Sequence, residues 1–148
     1  MNEGIWFKSP LFNIQKNEDD NTNPGCYGKS LAEWLSLKFD EIGYDTEIIP
    51  EDWGWCVICE RNGYVLWIGC GCLQEESFSE HYDNETLPDS RDICWHVFTT
   101  IEVSIFSFKT YLKNILGQID TVGPLSKLDR ELKELIDNES SITICEEP

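Results

Sequence analysis

Basic residues are scarce in this chain: 11 Lys and Arg stand against 28 Asp and Glu among 148 residues, a formal charge of −17. A nucleic-acid binder needs Lys and Arg to neutralise phosphates and release counterions, and a peripheral membrane binder needs them to meet anionic lipid. Both classes are excluded. Histidine is scarcer still, with two copies, so a hydrolase built on clustered imidazoles is excluded and only a carboxylate site for Mg²⁺ or Ca²⁺ would remain. No segment approaches the roughly 18 uninterrupted apolar residues of a membrane span. Glu3, Lys8 and Pro10 break the N-terminal stretch before it reaches signal-peptide form, which predicts a cytoplasmic protein. There is no Walker loop, GxGxxG, HExxH, GxSxG or EF-hand spacing, so neither a cofactor nor a metal is predicted.

Against these absences stand 41% hydrophobic residues and 12% aromatics, including six Trp. A single domain over residues 1–148 buries roughly 68–70% of its unfolded surface, enough for one real core. The seven cysteines are odd in number. In a reducing cytoplasm they read as thiols and not as a disulfide framework, and the sequons at Asn84 and Asn138 then carry no glycan.

Residues 1–16 hold Trp6, Phe7, Leu11, Phe12 and Ile14, apolar groups that must be covered. An edge strand or arm, or a homodimer contact, would cover them. After the polar loop 17–25, Tyr27, Leu31, Trp34, Leu35 and Ile42 mark a helix over about 26–42 that stops at Gly43. Tyr44 to Pro50 reads as a short strand. Trp55–Arg61 and Tyr64–Cys70 flank Asn62-Gly63, the dipeptide of a two-residue type I′ turn, and predict a hairpin. Between Cys94 and Val103, Trp95, Val97, Thr99, Ile101 and Val103 alternate onto one side of a strand. Ile105, Phe108, Tyr111, Leu112, Ile115 and Ile119 give a second helix. Leu125, Leu128, Leu132, Leu135 and Ile136 give a third, and Ser141–Glu146 a closing strand. The order predicts an α+β fold: a mainly antiparallel sheet of four to six strands, covered on one face by three helices.

The cysteines Cys56, Cys59, Cys70 and Cys72 resemble a zinc set only in spacing. In a hairpin pairing Arg61 with Tyr64, Cys59 with Leu66, Cys56 with Gly69 and Trp55 with Cys70, Cys56 and Cys59 point to opposite faces. Cys59 then lies roughly 13 Å along the strand from Cys70, at ~3.3 Å per residue. One ion cannot reach them all. Cys70 and Cys72, beside Gly71 at a strand end, are expected to be the more exposed and oxidisable pair. Cys94 and His96 share a strand face about 6–7 Å apart, too far for the hydrogen bond of a thiol nucleophile. His81, among carboxylates, is a poor neutral base.

Two features point to binding. In Pro50-Glu51-Asp52-Trp53-Gly54-Trp55 two carboxylates adjoin two indoles, a set suited to a cationic side chain or a stacked sugar. The plainer alternative is a strand-to-strand turn with one Trp in the core. Residues 73–92 carry seven carboxylates, Glu75, Glu76, Glu80, Asp83, Glu85, Asp89 and Asp92, against Arg91 alone, net −6. Glu51 and Asp52, adjacent on one loop, are not placed to straddle a glycosidic bond at the ~5–9 Å that glycoside hydrolysis needs.

Gly28–Leu35 (GKSLAEWL), Pro50–Trp55 (PEDWGW) and Trp95–Phe98 (WHVF) together resemble a set of short bacterial proteins to which no activity is attached. The resemblance implies that residues 28–103 form one folded unit and assigns no residue a role.

The composition and motifs favour binding over catalysis: a small intracellular bacterial protein of the inhibitor type, an immunity protein engaging a partner with a basic surface. A phage-type anti-defence protein imitating nucleic-acid charge would use the same electrostatics. The competing reading is a small enzyme or ligand module with Glu51 and Asp52 beside Trp53 and Trp55 in a cleft, which a water-exposed turn would remove.

Overall fold

A computed structural model describes residues 3–73, 87, 89–103 and 120–148. Its strands are β1 (Ile5–Lys8), β2 (Glu47–Glu51), β3 (Gly54–Arg61), β4 (Val65–Cys72), β5 (Trp95–Glu102) and β6 (Thr143–Cys145), with helices α1 (Lys29–Glu41) and α2 (Val122–Asn138). They form one six-stranded sheet in the order β2-β3-β4-β5-β1-β6, and every neighbouring pair is antiparallel. The α+β class and the antiparallel sheet are as expected. The three covering helices are not: two helices occur among the described residues, and the segment expected to form the other, 105–119, lies outside them. No helix among the described residues is long and apolar enough to cross a membrane.

The pleat sorts the side chains, because successive residues of a strand point to opposite faces. Phe7, Trp55, Val57, Leu66, Ile68, Cys70, Trp95 and Val97 fall on one face and join Leu31, Leu35 and Phe39 of α1 and Leu128, Leu132 and Ile136 of α2 in one core. The parity expected for β5 holds along its length. Trp95, Val97 and Thr99 are buried, and Ile101 and Val103 pack against the core.

The N-terminal segment departs from expectation. β1 is an interior strand, with Phe7 opposite both Trp95 of β5 and Ile144 of β6. Phe7 and Phe12 are buried within the chain itself, whereas Leu11 is exposed, so only part of the apolar set in residues 1–16 is already covered. Pro50 sits in β2, an edge strand where its missing N–H costs no ladder bond.

The hairpin is present, with a different turn. Trp55 pairs with Cys70 and Cys56 with Gly69 as expected, but the register shifts between Ile58 and Glu60, so Glu60 meets Leu66 and Arg61 meets Val65. Cys59 is the extra residue. The connection therefore runs through Asn62, Gly63 and Tyr64, and only Gly63 takes a positive φ, at 73°. A type I′ turn would require positive φ at both central residues; the bulge at Cys59 absorbs the offset instead.

A buried acid holds the start of α1. Glu18, in a short 3-10 turn (Glu18–Asp20), accepts from the backbone N–H groups of Gly28 at 2.8 Å, Lys29 at 3.1 Å and Gln15 at 2.7 Å. Two of these donors would otherwise be orphans of the helix N-terminus. Asp19 accepts from Gly25 N–H at 3.1 Å. Burial raises the Glu18 carboxyl above its ordinary value, and the three backbone donors offset only part of that.

Glu18→Ala should destabilise the fold by about 2–3 kcal/mol, since it strands buried donors. The raised carboxyl also fixes a sign. The folded chain holds the proton more readily than the unfolded chain, so the Glu18 contribution is largest at low pH and declines as pH rises through the folded value. Urea melts at pH 5–7 should show stability falling less with pH in Glu18→Gln than in the wild type. Equal slopes would contradict this.

Candidate functional site

The sheet face opposite the core carries a second aromatic set. Trp6 stacks on His96 with ring centroids 4.1 Å apart and planes 8° from parallel. His96 lies 5.3 Å from Phe98, Phe98 lies 5.6 Å from Trp67 and 5.4 Å from Trp53, and Trp67 stacks on Trp53 at 5.9 Å. The five rings form an unbroken strip across the sheet, supplied by β1, β4, β5 and the turn between β2 and β3. At one end Trp53, Trp67, Gly71, Cys72, His96 and Phe98 line a concavity of about 410 Å³.

Glycine makes the strip possible. Gly69 is paired directly with Phe98, and a Cβ at residue 69 would run into the Phe98 ring. With no side chain there, the ring lies down on the strand and reaches both tryptophans. His96 is fixed as part of the strip, its Nε2 donating to the Glu3 carbonyl at 3.0 Å. Among the described residues no thiol bonds it, so the Cys–His nucleophile has no structural basis there.

The two indoles of the Glu51–Trp55 segment part company. Glu51 pairs with Gly54 across a tight hairpin turn, leaving Trp53 at the tip, 39% exposed. Trp55 turns into the core, 4% exposed, with Lys29 Nζ 5.5 Å from its ring centre. As a surface contact Trp55 is thus corrected to a core residue, and Trp53 keeps its place. Glu51 and Asp52 are exposed beside Trp53, and Trp55 is directed away from them into the core.

Of the acidic loop, Glu75, Glu76, Glu80, Asp83 and Glu85 lie outside the described residues, whereas Asp89 and Asp92 are exposed. Asp89 accepts from the Arg91 guanidinium at 2.7 Å, and that hydrogen-bonded pair lowers its carboxyl to about 2. The loop's anchor points are informative. Leu73 N–H donates to the Cys94 carbonyl at 2.9 Å, and Cys72 pairs with Trp95, so the loop leaves and rejoins the sheet at one end. The register from Trp55 to Cys70 to Val97 places the Glu51–Gly54 turn at that same end.

The cysteines divide as the pleat requires. Cys59 joins the core, Cys56 takes the other face, and no group of metal-ligating side chains occurs among the described residues. Cys70 is corrected from an exposed thiol to one with 0% exposure. Cys72 is half-buried, with its thiol directed at the Gly25 carbonyl. Burial pushes Cys72, like Cys56 and Cys59, up to about 12.

Trp6, Trp67, His96 and Phe98 are the site residues that motif reading missed. The signal was the same alternation that located the core: residues 96 and 98 are the off-parity partners of Trp95 and Val97. No protein-family model, curated protein or solved structure matches the chain.

Gly69→Ala should force Phe98 off the sheet, costing about 1–3 kcal/mol. It should also raise acrylamide quenching of tryptophan fluorescence as Trp53 and Trp67 lose their cover. A variant with unchanged stability and quenching would show that the strip does not depend on this contact.

Proposed function

We propose that this chain is a small acidic binding protein of the inhibitor type, an immunity-type protein that neutralises a partner through an acidic and aromatic surface. The observation that carries the reading is the five-ring strip on the sheet face away from the core, with acids at one of its ends. Beyond the cross-strand contacts that help hold the sheet, five adjoining half-buried or exposed rings offer a large rigid contact area. Trp and Tyr dominate the energetic centres of interfaces, where a rigid ring gives large contact area for little lost entropy. Glu51 and Asp52 flank Trp53, and the acidic loop of residues 73–92 is anchored at the same end of the sheet.

The pairing selects a type of partner. Lys or Arg side chains of a basic surface can stack on Trp53 and Trp67 while their charges meet the carboxylates. The remaining charge steers the encounter and is screened by salt. The charge pattern fits a toxin or other effector with a basic cleft. The partner is thus a protein, with neither nucleic acid nor membrane as the target.

The test is the affinity of the protein captured at low salt. It should fall at least tenfold in the double variant Trp53→Ala, Trp67→Ala, and again in Glu51→Lys, Asp52→Lys. It should also drop steeply as ionic strength rises. Binding that is indifferent to both variants and to salt would overturn the reading.

A further inference from the structure

The sulfurs of Cys94 and Cys145 lie 3.3 Å apart, although 51 positions separate the residues in sequence. Cys94 immediately precedes β5 and Cys145 lies in β6, so the contact reaches across β1, the strand between them. A disulfide needs the sulfurs about 2.05 Å apart and the Cα atoms within about 7 Å, so closure asks the sulfurs to approach by roughly 1.3 Å and the short edge strand β6 to shift toward β5. Cys145 is half-buried in an edge strand. It also lines a groove of about 380 Å³ together with Glu3, Trp6, Lys133 and Asp137, which gives a small oxidant access to it. The other five thiols are poorly placed to compete: Cys26 is buried, and burial holds Cys56, Cys59, Cys70 and Cys72 in the protonated, unreactive form.

We propose that Cys94 and Cys145 are a reversible disulfide site, closed by exchange with a low-molecular-weight disulfide of the glutathione class. The Cys145 thiolate attacks one sulfur of that disulfide, forming a mixed disulfide and releasing one small thiolate. Cys94 then gives its proton to solvent, and its sulfur attacks that of Cys145, expelling the second small thiolate. Both leaving groups take up protons, so two protein thiols are oxidised and one small disulfide is reduced to two thiols. The new bond ties β5 to β6 over β1. Trp6 of β1 pairs with both His96 and Cys145, so closure fixes the Trp6 end of the aromatic strip. The inference stands on the sulfur contact and does not depend on the binding reading.

The full chain, incubated with oxidised glutathione and then alkylated, should yield a Cys94–Cys145 linked peptide. The intact protein should be lighter by two hydrogens. Oxidation should raise Tm by about 5 °C or more, because the bond closes a long loop, and dithiothreitol should reverse the rise. Cys145→Ser should remove both the link and the shift. A persistent glutathione adduct, a different cysteine pair, no link, or a shift that survives in Cys145→Ser would each overturn the proposal.

Discussion

The two-residue period of the pleat is the constraint on which the rest of this structure depends. Once β3, β4 and β5 pair, every aromatic residue on them is assigned a face by its parity alone. Trp55 and Trp95 go inward against α1 and α2, while Trp67, His96 and Phe98 go outward. A slip of one residue would exchange the two sets, exposing the core and burying the strip. One choice of register thus supports both the stability of the fold and the surface assigned to binding.

Local devices keep that register. The bulge at Cys59 lets a three-residue connection replace a two-residue turn without disturbing the pairs from Trp55 to Ile58. β1 inserts between β5 and β6, so the stretch of β5 carrying His96 is paired on both sides. Glu18 ties the loop before α1 to the helix's first N–H groups, which sets how α1 lies over the core face. The bulge and the Glu18 contacts lie outside the aromatic strip yet fix elements that position it, and the β1 pairing supplies Trp6 to the strip directly.

What could be read from the chain follows the same division. Alternation from Trp95 to Val103 is local, so the core side of β5 was legible, and the opposite parity marked His96 and Phe98 with equal clarity. Asn62-Gly63 announced a hairpin but not the bulge, because the extra residue is decided by packing across the pair. The place of β1 was hidden: four residues, Ile5–Lys8, carry no record of which strands they join. Glu18 was hidden as well. Its partners lie ten and eleven residues away in a loop without period, so an acid among acids gave no sign that it would be buried. Glu51-Asp52-Trp53-Gly54-Trp55 was legible as a turn, and the turn parts its two indoles: Trp53 stays at the tip while Trp55 has already entered β3.

The central claim is that the outward rings, and not the charge alone, make the contact surface. Fluorine NMR of protein labelled with fluorotryptophan tests it directly, since each of the six Trp reports separately. On titration with an arginine-rich peptide at low ionic strength, the resonances of Trp53, Trp67 and Trp6 should shift while those of Trp55 and Trp95 stay in place. Binding that leaves the three outward resonances unmoved would contradict the account and reduce the acidity to a diffuse, non-specific attraction.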